Sequence, residues 1–212
     1  MEYQADKMHP IEYAFDRAER ALRAGGIVIA PTETFYALAA DPFQESAVRQ
    51  IFSIKGRDEK KPLPLIAADL GTVKKLVPAE QKLAHRMMER FWPGSLTILV
   101  EPSRAFSRLL TGPGGKIGVR VPPWCPARIL ATRTSGLITA TSANISGEPA
   151  GRTVQEIKIR LNEGIDLYLD AGILPESKPS TVVSVVHQPP KLIREGVISF
   201  EALQTFVPQI II

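Results

Sequence analysis

The stretch Ile27–Arg57, IVIAPTETFYALAADPFQESAVRQIFSIKGR, organises the rest of the chain. Its first four residues, Ile27, Val28, Ile29 and Ala30, read as a short buried strand. That strand runs into a polar Pro31-Thr32-Glu33-Thr34 turn, which brings hydroxyls, a carboxylate and the Tyr36 phenol to the edge of a sheet. From Glu45 to Lys55, the residues Ala47, Val48, Ile51 and Phe52 share one face, so an amphipathic helix is expected. Lys55 ends it, where a cation suits the helix dipole, and Arg57 follows. Small-ligand recognition at one end and anion recognition at the other is the first functional expectation.

Upstream, Ile11, Ala14, Phe15, Ala18 and Leu22 fall at helical spacing, and Gly25-Gly26 stops that helix. Downstream, strands are expected at 62–69 (near an edge, because of Pro64), 95–101, 117–121, 137–140, 166–170, 180–186 and 191–195. Helices are expected at 71–77, 79–91, 126–134, 153–161 and 200–206, with 103–116 as loop. Strands and helices mix without strict alternation, which favours an α/β fold with a mixed sheet over a doubly wound parallel one. No repeat or long linker cuts the chain, so one domain is expected over residues 10–207, with an N-terminal segment at 1–9 and an apolar tail at 208–212. That tail either packs as a strand or marks a partner surface.

The 212 residues suffice for one sizeable core. A formal charge of +4 permits an anionic ligand such as a nucleotide or RNA, but equally fits an ordinary solvated surface. Cys125 is the only cysteine, which excludes an intramolecular disulfide and a cysteine-rich zinc site. It stands among prolines with no neighbouring His and reads as structural. The polar N-terminus lacks the apolar core of a signal peptide, and no apolar run is long enough to span a bilayer, so the cytoplasm is expected.

Four clusters could carry chemistry. Thr32, Glu33, Thr34 and Tyr36 can hydrogen-bond an amino acid or sugar, or simply shape a turn. Lys55, Arg57, Lys60 and Lys61 suit a triphosphate, or form a solvated face partly cancelled by Asp58 and Glu59. Thr141-Ser142-Ala143-Asn144 after a buried strand can hold phosphate or ribose, or make an Asx-type turn. Last come single residues: Arg120, Ser180, Thr181 and Arg194. An arginine on a strand of Ile, Val and Gly needs an anion partner if it faces inward. The chain has no GxxxxGK[ST] loop, no GxGxxG fingerprint and no HExxH pattern. His9, His85 and His187 are scattered, so no metal site is expected. An enzyme built from these groups works by positioning and charge stabilisation rather than by a covalent nucleophile.

APTETFYALAA, KGRDEKKPLPL, WPGSLTILV, IGVRVP, TSANISGEPA and PSTVVSV with LIREG, in that order, resemble the YrdC-type threonylcarbamoyl-AMP synthase family in its single-domain form. The resemblance spans about residues 10 to 205. It implies a YrdC-like twisted mixed β-sheet flanked by helices, with a large basic concave cavity. It implies an L-threonylcarbamoyladenylate synthase, a nucleotidyltransferase that combines L-threonine, bicarbonate and ATP into threonylcarbamoyl-AMP and pyrophosphate. The product would pass to tRNA-modifying transferase proteins for N6-threonylcarbamoyladenosine formation. By the resemblance, Lys55, Arg57 and Lys61 hold the ATP phosphates, with Lys55 and Arg57 catalytic, and Ser142, Asn144 and Arg194 hold the nucleotide. Thr34, Tyr36, Arg120 and Ser180 surround threonine, with Arg120 on its carboxylate. Mg2+ is expected with ATP. The chain departs from the family pattern at Ala37 and Ala39, where glycines are usual, and at Ile66, where many members carry a histidine. The KPLPL segment is closer to less characterised paralogues, and a paralogue that binds double-stranded RNA or tRNA without adenylation is the alternative.

Overall fold

In the computed structural model, which describes residues 2–3, 11–161 and 163–212, the Ile27–Arg57 stretch folds as strand, strand, helix. After β1 (Glu2–Tyr3) and α1 (Ile11–Arg23), β2 (Val28–Pro31) and β3 (Tyr36–Ala39) form an antiparallel hairpin. Helix α2 (Glu45–Lys55) ends at Gly56, whose φ of 53° supplies the left-handed cap that favours glycine. The expected segment 1–9 lies outside the described residues apart from Glu2–Tyr3, as does the expected domain start at residue 10.

The chain continues through β4 (Leu65–Ala67), α3 (Leu70–Lys74), α4 (Lys82–Phe91), β5 (Leu96–Val100), α5 (Arg108–Thr111) and β6 (Ile117–Arg120). It ends with α6 (Pro126–Arg133), β7 (Leu137–Thr139), β8 (Thr141–Ser142), α7 (Val154–Arg160), β9 (Leu167–Leu169), β10 (Thr181–Ser184), β11 (Lys191–Arg194) and α8 (Phe200–Phe206). The strands form two mixed sheets, in the orders β1-β9-β2-β3-β8 and β11-β10-β5-β6-β4-β7. The mixed α/β expectation therefore holds, with the strands divided between two sheets.

Alternation along β2 explains the layers. Ile27 and Ile29 face one core with Leu65, Ile98 and Val119 of the second sheet and with Val48, Ile51 and Met88 of the helices. Val28 and Ala30 face a second core with Ala37, Ala39, Ile66 and Ile138, closed by Ala18 and Leu22 of α1 and Leu130 of α6. Ile117 and Val119 point into the first core, as the alternation of IGVRV predicts, which leaves Arg120 for the opposite face.

Three local expectations need correction. Strand β3 is absent from the sequence reading, because Ala37, Leu38 and Ala39 are buried on both faces and show no alternation. Strand β4 is shorter than 62–69 and is flanked by β6 and β7 rather than lying at an edge; the prolines stop just short of the paired residues 65–67. The segment expected as loop contains α5, capped by the Ser107 hydroxyl, which accepts from the Leu109 N–H. In the tail, Ile210 is buried, and Ile211 pairs beside β11 by donating its N–H to Pro190 O and accepting from Leu192 N. No helix among the described residues is long and apolar enough to cross a membrane.

Candidate functional site

The sheets meet where the chain leaves β7 for β8. Ala140 N donates to Pro64 O, Thr139 N to Ala40 O, and Ala40 N to the Thr139 hydroxyl. Beside this seam lies a cavity of about 140 Å³. The first sheet and its turn contribute Thr34, Tyr36, Ala37, Thr141 and Ser142; the second contributes Pro64, Arg120 and Ser180; Arg57 and Arg194 complete the wall.

The polar turn is built on Thr32. Its hydroxyl accepts from the N–H groups of Thr34 and Phe35 and donates to Phe35 O at 2.7 Å, the local closure that a turn threonine provides. Thr34 is thereby fixed in the cavity wall. Tyr36 also reaches the wall, but its hydroxyl is occupied. It accepts from Ala171 N at 2.9 Å and lies 2.8 Å from Gly172 O and 3.2 Å from the Asp170 carboxylate. Burial, followed by the Asp170 charge, raises its pKa to about 12 despite the Ala171 hydrogen bond. Tyr36 thus ties the hairpin to the turn after β9.

Lys55 is among the largest fully buried side chains. Its ammonium donates to Ser142 O at 2.5 Å and Asn144 O at 2.6 Å, with Asn144 Oδ1 at 3.4 Å. Asn144 in turn donates to Ile145 O and Glu148 O. These contacts hold the Thr141–Asn144 loop, leaving Ser142 in the cavity wall and Asn144 behind it. Burial, and secondarily Arg57, lower the Lys55 pKa to about 8.

Arg57 lines the cavity while its guanidinium donates to Lys61 O and Pro62 O. Lys61 is exposed and enters through its carbonyl rather than its charge. Arg194 lines the cavity from β11 and donates to Ser180 O at 2.8 Å and the Ser180 hydroxyl at 3.3 Å; that hydroxyl also lies 3.0 Å from Thr97 Oγ1. Burial and then Arg194 hold Arg57 below the usual arginine range, and burial and then Arg120 do the same to Arg194. Arg120, with 7% of its side chain exposed, places Nε 3.2 Å from Glu33 Oε1. The sequence therefore brings Arg57, Arg120, Arg194, Thr34, Tyr36, Ser142 and Ser180 to one cavity, while Lys55, Asn144 and Lys61 stand outside its wall. Three guanidinium groups with no carboxylate among the lining residues suit an anion.

Residues 20–196 match the Sua5/YciO/YrdC family model, described as "Telomere recombination". This chain belongs to the Sua5/YciO/YrdC family. It is 34% identical over 166 residues to the threonylcarbamoyl-AMP synthase of Coxiella burnetii, covering 78% of this chain and 89% of that one. It is 32% identical over 175 residues to the threonylcarbamoyl-AMP synthase of Idiomarina loihiensis, covering 80% and 92%. Among solved structures, Pyrococcus abyssi Sua5 complexed with L-threonine superimposes with a TM-score of 0.88 at 31% identity, covering 96% of this chain. This chain spans 60% of that one. Escherichia coli YciO superimposes with a TM-score of 0.78 at 28% identity, covering 89% of this chain and 92% of that one.

Within this Sua5/YciO/YrdC fold, the departures noted in the sequence have places. Ala37 borders the cavity and packs with Ala39 in the second core, and Ile66 is buried in β4 in register with Arg120. Glu33, Thr32 and the Asp170–Gly172 turn are the site-shaping groups that the residue assignments omitted. The signal for Glu33 was Arg120 itself, an inward-facing strand arginine in need of an anion. Cys125 is buried, and burial raises its thiol pKa, in keeping with a structural role.

Proposed function

We propose that this chain is an L-threonylcarbamoyladenylate synthase, a nucleotidyltransferase that forms threonylcarbamoyl-AMP and pyrophosphate from L-threonine, bicarbonate and ATP. The observation that carries the reading is the cavity at the seam of the two sheets, walled by Arg57, Arg120 and Arg194 with Thr34, Ser142 and Ser180. It is supported by the likeness to a Sua5 structure holding L-threonine and to relatives named threonylcarbamoyl-AMP synthase.

The chemistry needs no nucleophilic side chain. The threonine amine and bicarbonate condense to a carbamate with loss of water. A carbamate oxygen attacks the α-phosphorus of ATP, and the bond to pyrophosphate breaks. Arg120 and Ser180 receive the amino-acid carboxylate, with Thr34 and the Tyr36 wall around it. Arg57 and Arg194 face the phosphates and neutralise the charge that develops on the leaving group. Lys55 acts on the nucleotide chiefly through the Ser142–Asn144 loop that its ammonium holds, and Lys61 supplies outer charge. The cavity does not fit a protein-held Mg2+. Its lining has no carboxylate, and no group of three His, Cys, Asp or Glu among the described residues could hold a metal. Mg2+ is expected to arrive on the ATP oxygens, and no step is routed through it. The product serves tRNA-modifying transferases in the cytoplasm.

The test is pyrophosphate release that requires threonine, bicarbonate and ATP together. Arg120→Ala is expected to lose threonine use chiefly, and Lys55→Ala to lose ATP use chiefly. A clean preparation with no threonine-dependent release overturns the reading. Wild-type activity in both variants overturns the residue assignment alone.

A further inference from the structure

Glu33 takes no part in the proposed chemistry, yet its surroundings are unusual. Its side chain is 12% exposed and that of Arg120 is 7% exposed. The Ser95 hydroxyl donates to Glu33 Oε1 at 3.2 Å, and Arg120 Nε stands 3.2 Å from the same oxygen. The Arg120 contact is Coulombic, because Nε–H lacks hydrogen-bond alignment and has no other partner. Glu33 Oε2 is buried with no hydrogen bond. A half-satisfied buried carboxylate costs stability, so its retention needs a return elsewhere.

Arg120 needs that return. It shares the cavity wall with Arg57 and Arg194, and like charges at close quarters repel. Arg57 is tied to the carbonyls of Lys61 and Pro62, and Arg194 to Ser180. The Arg120 guanidinium makes no hydrogen bond to any described residue. Glu33 is the carboxylate paired with it. The hub at Thr32 fixes the backbone on either side of Glu33, so the carboxylate has a rigid mount.

We propose that Glu33 is a positioning residue for the amino-acid end of the site: its charge holds Arg120 at Nε against the other two arginines and leaves the terminal guanidinium nitrogens for a substrate carboxylate. This rests on the reading of Arg120 as the threonine-carboxylate group. It adds that the bound amino acid shares one guanidinium with a resident carboxylate. Affinity for the amino acid then depends on Glu33 charge, whereas affinity for ATP does not.

The test measures L-threonine and ATP affinities separately by calorimetry, for wild type, Glu33→Gln, Arg120→Gln and the double variant. Glu33→Gln should weaken threonine binding about tenfold and leave ATP binding within about twofold. The double variant should bind threonine no more weakly than Arg120→Gln, since Glu33 acts through Arg120. Wild-type threonine affinity in Glu33→Gln overturns the proposal, as does a further tenfold loss in the double variant. If Glu33→Gln does not fold, the double variant decides, because removing both charges leaves neither buried alone. If the wild-type protein binds no L-threonine, the amino-acid reading fails, and this inference falls with it.

Discussion

At the residue scale, Lys55 illustrates how a charge can be spent on the protein itself. Its pKa is lowered to about 8, first by burial and then by Arg57. An unfolded lysine keeps its proton to near pH 10.4, whereas folded Lys55 releases it from about 8. Between these values the unfolded chain binds more protons, so this group makes stability rise with pH from about 8 to about 10. The neutral amine still has two N–H donors, enough for Ser142 O and Asn144 O. Urea midpoints for wild type and Lys55→Met across that range are expected to diverge, with the rising contribution present only in wild type; parallel curves would count against it. The sequence displayed Lys55, Arg57, Arg120 and Arg194 openly. It could not display what each one faces, since Lys55 meets Ser142 and Arg120 meets Glu33 only after long-range strand pairing.

At the element scale, the strand pair β10–β11 carries Ser180 and Arg194 into the cavity, and Gly196, in the turn that leads from β11 into α8, packs against the start of β10 by donating its N–H to the Thr181 hydroxyl. A Cβ on Gly196 would collide with Pro179 O and stand 2.7 Å from the Ser180 carbonyl carbon. These are backbone atoms with little room to yield. Gly196→Ala should therefore cost about 1–3 kcal/mol, read by chemical denaturation, and should weaken threonine binding by displacing Ser180. Unchanged stability would mean that the turn moves freely. Both 180–186 and 191–195 were legible as strands because each run is β-prone, and the His187-Gln188-Pro189-Pro190 connector between them is short. Strand β3 was not legible, because alanine-rich residues buried on both faces carry no period-2 signal. The need for glycine at 196 was also hidden, because it arises from the approach of residue 179 rather than from the local turn.

At the scale of the molecule, each sheet supplies part of the cavity wall, so a ligand there bridges both. A ligand at 100 times its Kd adds about 2.7 kcal/mol, which for a chain of this size raises Tm by about 5–11 °C. Such a rise is expected with L-threonine in wild type and should vanish in Arg120→Ala, while the ATP-induced rise persists. Thermal melts with no threonine shift would place the amino acid elsewhere. The mixed α/β class was legible from the order of elements, but the division into two sheets was not, because it depends on which strands pair across the chain. That pairing also sets a timetable. Glu2 pairs with Tyr168, and Arg194 joins the wall from the last strand. Contacts so distant along the chain are slow to form, and synthesis proceeds from the N-terminus. A chain still emerging from the ribosome holds the Thr32 turn and Arg57 early, yet has no complete pocket until β11 has docked. Substrate therefore cannot assist the early steps of folding and can only reward a chain that has nearly finished.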